Sequence, residues 1–157
     1  MLKLTKRTEY GLIALVHLAD KAAEAPAGSE VEVVSARAIG DQFPVPKRLL
    51  AEALKALQAD GIVESTRGAQ GGYRLARSAS EISLRDVVGA LEGSPMLTTC
   101  DGPANGEEHS CEMESVCRIK SPLARVRVGI WALLEGVTLE SIASRSIDPA
   151  EFVSPAS

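Results

Sequence analysis

A glycine-rich segment, Gly68-Ala69-Gln70-Gly71-Gly72, constrains the fold of this chain more than any other feature. It lies between two segments with strand-like composition, Ile62 to Arg67 and Tyr73 to Ala76. Two such runs joined by a short segment that contains glycine predict a β-hairpin. Helical patterns precede and follow this hairpin, so the expected fold class is mainly α with a small β-hairpin.

Three helices are expected before the hairpin. Apolar residues recur with helical spacing from Leu12 to Ala19, and Thr5 is placed to cap that helix. A short second helix is expected over Ala36 to Gln42. Pro46 is expected as the first residue of the third helix, and Gly61 follows the end of that helix. Three helices and then a hairpin are the element order of a winged helix-turn-helix.

Two further helices are expected after the hairpin. Ser83-Leu84-Arg85-Asp86 resembles a capping box, and Ser121-Pro122 opens a long final helix. Apolar residues along the final helix have heptad spacing, which favours a dimer seam over packing on the same chain. The seam consists of Ile119, Leu123, Val126, Ile130, Leu133 and Val137. We therefore expect a winged helix-turn-helix domain over 1–92, a cysteine-containing loop over 93–118, and a dimerisation helix and tail over 119–157.

The composition excludes a membrane protein and indicates an anionic partner. No apolar run approaches the roughly 18–20 residues of a membrane span. The charged N-terminus also lacks the pattern of a secretion signal, so the cytoplasm is the expected location. The formal net charge is −4, but residues 1–77 carry 11 Lys+Arg against 9 Asp+Glu, whereas residues 78–157 carry 6 against 12. A basic first half suits a protein that binds an anion with one face.

Cations are concentrated where a winged helix-turn-helix contacts double-stranded DNA. Pro46-Lys47-Arg48 begins the third helix, which enters the major groove in this fold, and Arg67 lies at the hairpin tip. Lys6 and Arg7 are placed to add phosphate contacts. The alternative is that Lys47 and Arg48 merely keep an exposed helix start soluble. The arginine at the hairpin tip favours DNA binding.

Four motifs then make a family resemblance visible. They are Leu4-Thr5-Lys6-Arg7-Thr8-Glu9-Tyr10, Gly61-Ile62-Val63-Glu64-Ser65, Arg67-Gly68-x-x-Gly71-Gly72-Tyr73-x-Leu75 and Ile82-Ser83-Leu84-Arg85-Asp86-Val87-Val88. Together with three cysteines and a long last helix, they closely resemble the IscR-type family of winged-helix iron–sulfur transcriptional regulators. The resemblance implies a homodimer that binds a palindromic operator as a repressor, with cluster-assembly genes as its targets. It also adds Gly71 and Tyr73 to the expected DNA contacts.

The cysteines Cys100, Cys111 and Cys117 lie in a polar stretch, which favours a metal or redox site over a disulfide framework. The resemblance implies that they hold an iron–sulfur cluster, either 2Fe–2S or 4Fe–4S. The family places five residues between successive cysteines, whereas ten separate Cys100 from Cys111 here. Three thiolates leave one ligand position open. The resemblance assigns it to Glu9 from the partner subunit, with His109 as the alternative.

Two other functions stay open. A DNA-binding regulator can use zinc or a thiol switch instead of a cluster, although the cysteines lack the close pairs of most zinc sites. A cysteine enzyme is the remote alternative, because the chain has two histidines and no nucleotide-binding glycine loop between a strand and a helix. We therefore expect a regulator without enzymatic activity.

Overall fold

The computed structural model describes residues 3–26, 28–29, 31–94, 97, 113 and 116–145. The helices in this part of the chain are α1 (Lys6–Glu24), α2 (Ala36–Gln42), α3 (Lys47–Ala59), α4 (Leu84–Glu92), α5 (Lys120–Gly136) and α6 (Leu139–Ala143). Strands β1 (Val63–Thr66) and β2 (Gly72–Leu75) follow α3, and a short 3-10 turn (Ala79–Glu81) precedes α4. The mainly α class with a small hairpin is confirmed. None of the described helices is long and apolar enough to cross a bilayer.

Hydroxyl side chains fix the first residues of three helices. Thr5, Ser35 and Ser83 each accept a hydrogen bond from a backbone N–H in the first turn of α1, α2 and α4. At α4 the Asp86 carboxylate accepts the Ser83 N–H in return, which completes the expected capping box. Pro46 is the N-cap of α3 rather than its first helical residue, because the helix begins at Lys47. The local sequence therefore determines where these helices start.

The hairpin is fixed to the segment that leads into α2. Val63 pairs with Leu75 and Thr66 with Gly72 in an antiparallel register. Val34 and Tyr73 then exchange two backbone hydrogen bonds, with N–O distances of 2.9 and 2.8 Å. A Cβ at Gly72 would lie 2.6 Å from the backbone of Val34, so only glycine permits this approach. The hairpin and the helix-turn-helix therefore hold a defined relative position.

In the described part of the chain, an apolar cluster joins α1, α2, α3, α4 and α6. Its largest fully buried side chains come from α1, α2, α3, α6 and the segments that flank them. They are Leu15, Leu18, Ile39, Leu50, Leu54, Leu57, Ile62, Ile82 and Leu139. Because one face of α3 is committed to this cluster, its opposite face is left for solvent or a partner.

The chain after α5 returns to the same core. Val137 is the C-cap of α5 and its carbonyl accepts the Leu84 N–H, while the Leu139 N–H donates to the Ile82 carbonyl. Leu139 is 1% exposed and Val137 is 6% exposed. The heptad spacing assigned Val137 to the dimer seam, but its side chain is buried in its own chain and does not continue an exposed stripe. The division into 1–92, 93–118 and 119–157 stays a prediction, and residues 137–143 pack with the first of these segments.

Candidate nucleic-acid interface

The N-terminal turn of α3 presents two cations on the face opposite the core. Lys47 and Arg48 are both exposed, and 88% of the Arg48 side chain is accessible to solvent. Arg48 Nε donates a hydrogen bond of 2.9 Å to Glu52 Oε1, one turn later on the same helix. This hydrogen bond and the charge of Glu52 raise the pKa of Arg48 above its ordinary value. The helix therefore offers a permanently charged guanidinium where a winged helix-turn-helix meets the major groove.

The hairpin tip carries a third exposed cation. Arg67 lies just after β1 and makes no ion pair with any residue in the described part of the chain. Gly68 has a φ of +121°, and its carbonyl accepts the Gly71 N–H over 3.0 Å, which closes the turn. A Cβ at Gly71 would lie 2.3 Å from the Thr66 carbonyl oxygen. Gly71 thus shapes the tip that presents Arg67.

Other side chains of the hairpin have partners within the chain. Arg74 donates to Glu64 across the two strands. Arg77 donates to the Glu81 carbonyl and to the Asp86 carboxylate. Tyr73 is half-buried and packs against the core. A DNA contact by Tyr73 stays a prediction, and its backbone has a structural role through the pairing with Val34.

The two cations in the first turn of α1 have different environments. Lys6 is exposed and pairs with the Glu9 carboxylate, and this hydrogen bond raises the pKa of Lys6. Arg7 is half-buried and donates to the Leu91 carbonyl in the last turn of α4, where a cation interacts favourably with the helix dipole. Lys6 therefore remains accessible for a phosphate contact, whereas Arg7 joins α1 to α4.

The expected cluster ligands fall mostly outside the described residues. Cys100, Cys111 and His109 all lie there. Cys117 is described, with a free, half-buried thiol three residues before α5 begins, and the Glu9 side chain is 38% exposed. A thiolate and a carboxylate are both suitable donors for iron, so these two residues fit the expected site chemically. Within the described ranges, no group of three His, Cys, Asp or Glu side chains is close enough to hold a metal.

Helix α5 exposes part of the expected dimer seam. Ile119, just before the helix, is 59% exposed, and Val126 and Leu133 are 52% and 46% exposed. Leu123 and Ile130 are half-buried. These five residues are called the α5 stripe below. Its exposure in a single chain is compatible with a subunit interface.

A polar and aromatic contact attaches α5 to α4. Arg85 of α4 pairs with Glu135, and its guanidinium lies 5.5 Å from the centre of the Trp131 ring. Sequence spacing did not reveal this contact, because Arg85 and Glu135 are 50 positions apart in the chain. Glu52 was also missed as a site residue, although its spacing of four from Arg48 is a local pattern typical of helical ion pairs.

Comparison with known proteins gives one consistent result. Residues 4–145 match the Rrf2 family, described as iron-dependent transcriptional regulators. The HTH-type transcriptional regulator NsrR of Bacillus licheniformis is 30% identical over 141 residues, which cover 90% of this chain and 92% of that protein. CymR, the global cysteine regulator of B. subtilis, has a similar structure, with a TM-score of 0.64, 29% identity, and coverage of 94% of this chain and 100% of that one. IscR of T. potens gives a TM-score of 0.64 at 26% identity, covering 99% of this chain and 94% of that one.

Proposed function

This chain belongs to the Rrf2 family of transcriptional regulators, which is not a family of enzymes. We propose that it acts as a homodimer on a palindromic operator and that an iron–sulfur cluster controls its binding. The winged helix-turn-helix that its element order predicts is confirmed by the structural relatives. DNA binding is the activity of this fold and family. The dimer, the palindrome and the cluster go beyond that. Following the IscR-type resemblance, we further propose repression of cluster-assembly genes.

The exposed cations of α3 and of the hairpin tip support the proposed DNA-binding surface. Lys47 and Arg48 lie on the outer face of α3, and Arg67 lies at a tip whose position is fixed by the Val34–Tyr73 pairing. In a winged helix-turn-helix, residues at the start of the third helix, here Lys47 and Arg48, enter the major groove. The hairpin tip, here with Arg67, approaches the phosphates or the minor groove. The exposure of these cations is the observation that carries the proposal.

Binding to an operator selected from randomised duplex DNA tests this surface. Arg48→Ala is expected to weaken binding about 5- to 150-fold, the range for loss of one good base contact of ~1–3 kcal/mol. Arg67→Ala is also expected to weaken binding, through loss of a phosphate or minor-groove contact. Arg37→Ala is the matched control, because Arg37 is an exposed α2 arginine in a similar helical ion pair with Asp41. Fluorescence anisotropy at fixed salt gives the affinities. Unchanged affinity in both test variants would refute the proposed surface.

The cysteines and the family description support iron–sulfur control. We propose that Cys100, Cys111 and Cys117 hold the cluster, with Glu9 from the partner subunit as the fourth ligand. When bound, the cluster would supply an oxidisable group, and its loss would release the residues that hold it. Cys117 lies three residues before α5, and Glu9 lies in α1, within the predicted DNA-binding domain. Loss of the proposed cluster would therefore act on both the α5 helix and the DNA-binding domain. The similarity to CymR favours a thiol switch as the second candidate.

Anaerobic purification separates the two candidates. A cluster gives visible absorbance and stoichiometric iron and sulfide, whereas a zinc site or a free thiol switch gives neither. Cys100→Ala, Cys111→Ala and Cys117→Ala are each expected to remove most of this absorbance. Glu9→Ala is expected to retain the cluster but lose it faster in air, and His109→Ala is its control. A colourless wild-type protein without iron would favour the thiol switch. Cluster loss in His109→Ala but not in Glu9→Ala would reverse the choice of fourth ligand.

A further inference from the structure

The outer face of α3 carries an ion pair that the proposed DNA contacts do not explain. Glu52 places a negative charge on a helix face that we propose to meet a polyanion, which by itself opposes binding. Its carboxylate accepts the hydrogen bond from Arg48 Nε at 2.9 Å, and the side chains are 88% and 45% exposed. An exposed pair at this spacing contributes little to stability. Stability therefore gives a weak reason for an acidic side chain at this position.

The geometry of the hydrogen bond leaves the base-reading edge of Arg48 available. A guanidinium carries five N–H donors, of which one is on Nε and four are on the two Nη atoms. Glu52 uses the Nε donor. The Nη pair is the edge that donates in parallel to guanine O6 and N7 in the major groove. An arginine held by its inner edge loses less conformational freedom when its outer edge binds a base.

We infer that Glu52 is a positioning residue for sequence recognition. It holds Arg48 with its Nη edge directed outward to a guanine of the operator. Its charge also disfavours the alternative in which Arg48 turns to a phosphate, because the carboxylate repels that group. The ion pair thus makes Arg48 select a guanine over the phosphates that are present in every sequence. This inference rests on the proposed DNA-binding function and concerns how the same surface chooses its sequence.

Two other roles for Glu52 make different predictions. A carboxylate can accept a hydrogen bond directly from cytosine N4, in which case its contribution would not depend on Arg48. It can also act merely as a helix-stabilising partner, in which case its removal would leave base preference unchanged. A double-mutant cycle between Arg48 and Glu52 separates these roles from positioning.

The experiment uses the full chain and randomised duplex DNA, from which the wild type selects its preferred sequence. Affinities for that sequence, for single base-pair changes in it and for a scrambled duplex are measured for Glu52→Ala, Glu52→Gln, Arg48→Ala and the double variant. Asp41→Ala is the matched control, since it removes an exposed carboxylate that pairs with Arg37 on α2 at 3.6 Å. Both alanine substitutions of acidic residues change the net charge by the same amount.

We expect Glu52→Ala to bind scrambled DNA more tightly and to lose at least about fivefold of its preference for one guanine, the lower end for a bidentate contact. Glu52→Gln retains much of this preference, because the amide oxygen still accepts from Nε. Asp41→Ala strengthens scrambled binding without changing any base preference. In the Arg48→Ala background, Glu52→Ala has no further effect on preference.

Three results would overturn the inference. Full base preference in Glu52→Ala would leave Glu52 as a helix-stabilising residue. Loss of preference that persists when Arg48 is already alanine would make Glu52 a direct base contact. A wild-type chain that selects no sequence would refute the proposed function itself, and the inference with it, so the two failures are distinguishable.

Discussion

Glu92 helps to connect the first and last helices of the predicted DNA-binding domain. Its carboxylate accepts hydrogen bonds from the Thr5 backbone N–H at 2.7 Å and from the Thr8 hydroxyl at 2.5 Å. It is the last residue of α4, and Thr5 is the N-cap of α1. One carboxylate therefore holds the start of α1, which carries Lys6 and Glu9, against the helix that leads into the cysteine-containing segment.

The pKa of Glu92 predicts a pH-dependent contribution to stability. Burial raises this pKa, but the hydrogen bonds from Thr8 and Thr5 and the charge of Arg7 lower it, and the net pKa lies below its ordinary value of 4.5. The ionised form is thus favoured by folding. The ionised carboxylate contributes its full stabilisation at a pH above the pKa of Glu92 in the unfolded chain. This contribution is lost as the pH falls through the lower pKa of Glu92 in the folded protein.

Glu92→Gln is therefore expected to reduce the free energy of unfolding at pH 7 by about 1 kcal/mol, a value kept low because Glu92 is partly exposed. At pH 3 the difference from wild type should shrink. Urea unfolding at the two pH values measures this, with Glu32→Gln as the control, since Glu32 is an exposed carboxylate in the segment before α2. An equal difference at both pH values would contradict an ionised Glu92 in the folded protein.

At the level of elements, local chemistry was predictable and distant pairing was not. Thr5 and Ser83 indicated two helix starts from neighbouring residues alone, and each end of the two hairpin strands differs from expectation by one residue. Helix α6 was missed, because five residues are too few to show a helical period. The Val34–Tyr73 pairing was missed because its partners are 39 positions apart in the chain, with α2, α3 and β1 between them, and no local pattern marks it.

The candidate site shows the same division. The exposed cations Lys47, Arg48 and Arg67 followed from their positions in a recognised element order. The capture of Arg7 by the Leu91 carbonyl did not, because the partners are 84 residues apart. A cation within a basic first turn gives no local indication of whether it will meet a phosphate or the end of a distant helix.

The docking of α6 predicts a strong effect from a residue far from the DNA surface. Leu139 is 1% exposed in the core, so Leu139→Ala is expected to cost about 2–5 kcal/mol of unfolding free energy. Val128→Ala is the control, because Val128 is 65% exposed on α5. Its effect should stay within about 0.5 kcal/mol. Urea unfolding gives both values, and equal effects would show that residues after α5 do not support the domain.

For the whole molecule, the α5 stripe is the surface through which we propose that two DNA-binding domains act together. Val126 and Leu133 are large apolar residues exposed on the same helix. Arg85 and Trp131 hold that helix to α4, so a partner bound along α5 would be coupled to the rest of its subunit. The proposed palindromic operator requires two domains at a fixed separation, and the proposed interface along α5 would provide that separation.

Val126→Glu and Leu133→Glu are expected to convert the proposed dimer into a monomer, because each would place two unpaired carboxylates in the proposed apolar interface at a cost of several kcal/mol. Ile130→Glu is a less clean test, since Ile130 is already half-buried in its own chain. Val128→Glu is the matched control, because Val128 is exposed on the same helix but lies outside the heptad spacing.

Sedimentation equilibrium gives the mass of each variant, and fluorescence anisotropy gives its affinity for full and half operators. The two test variants should bind the full operator more weakly than the wild type does. Their affinity for a half operator, which one domain binds alone, should stay unchanged. A dimer that persists in both would place the subunit interface elsewhere and leave the α5 stripe without this role.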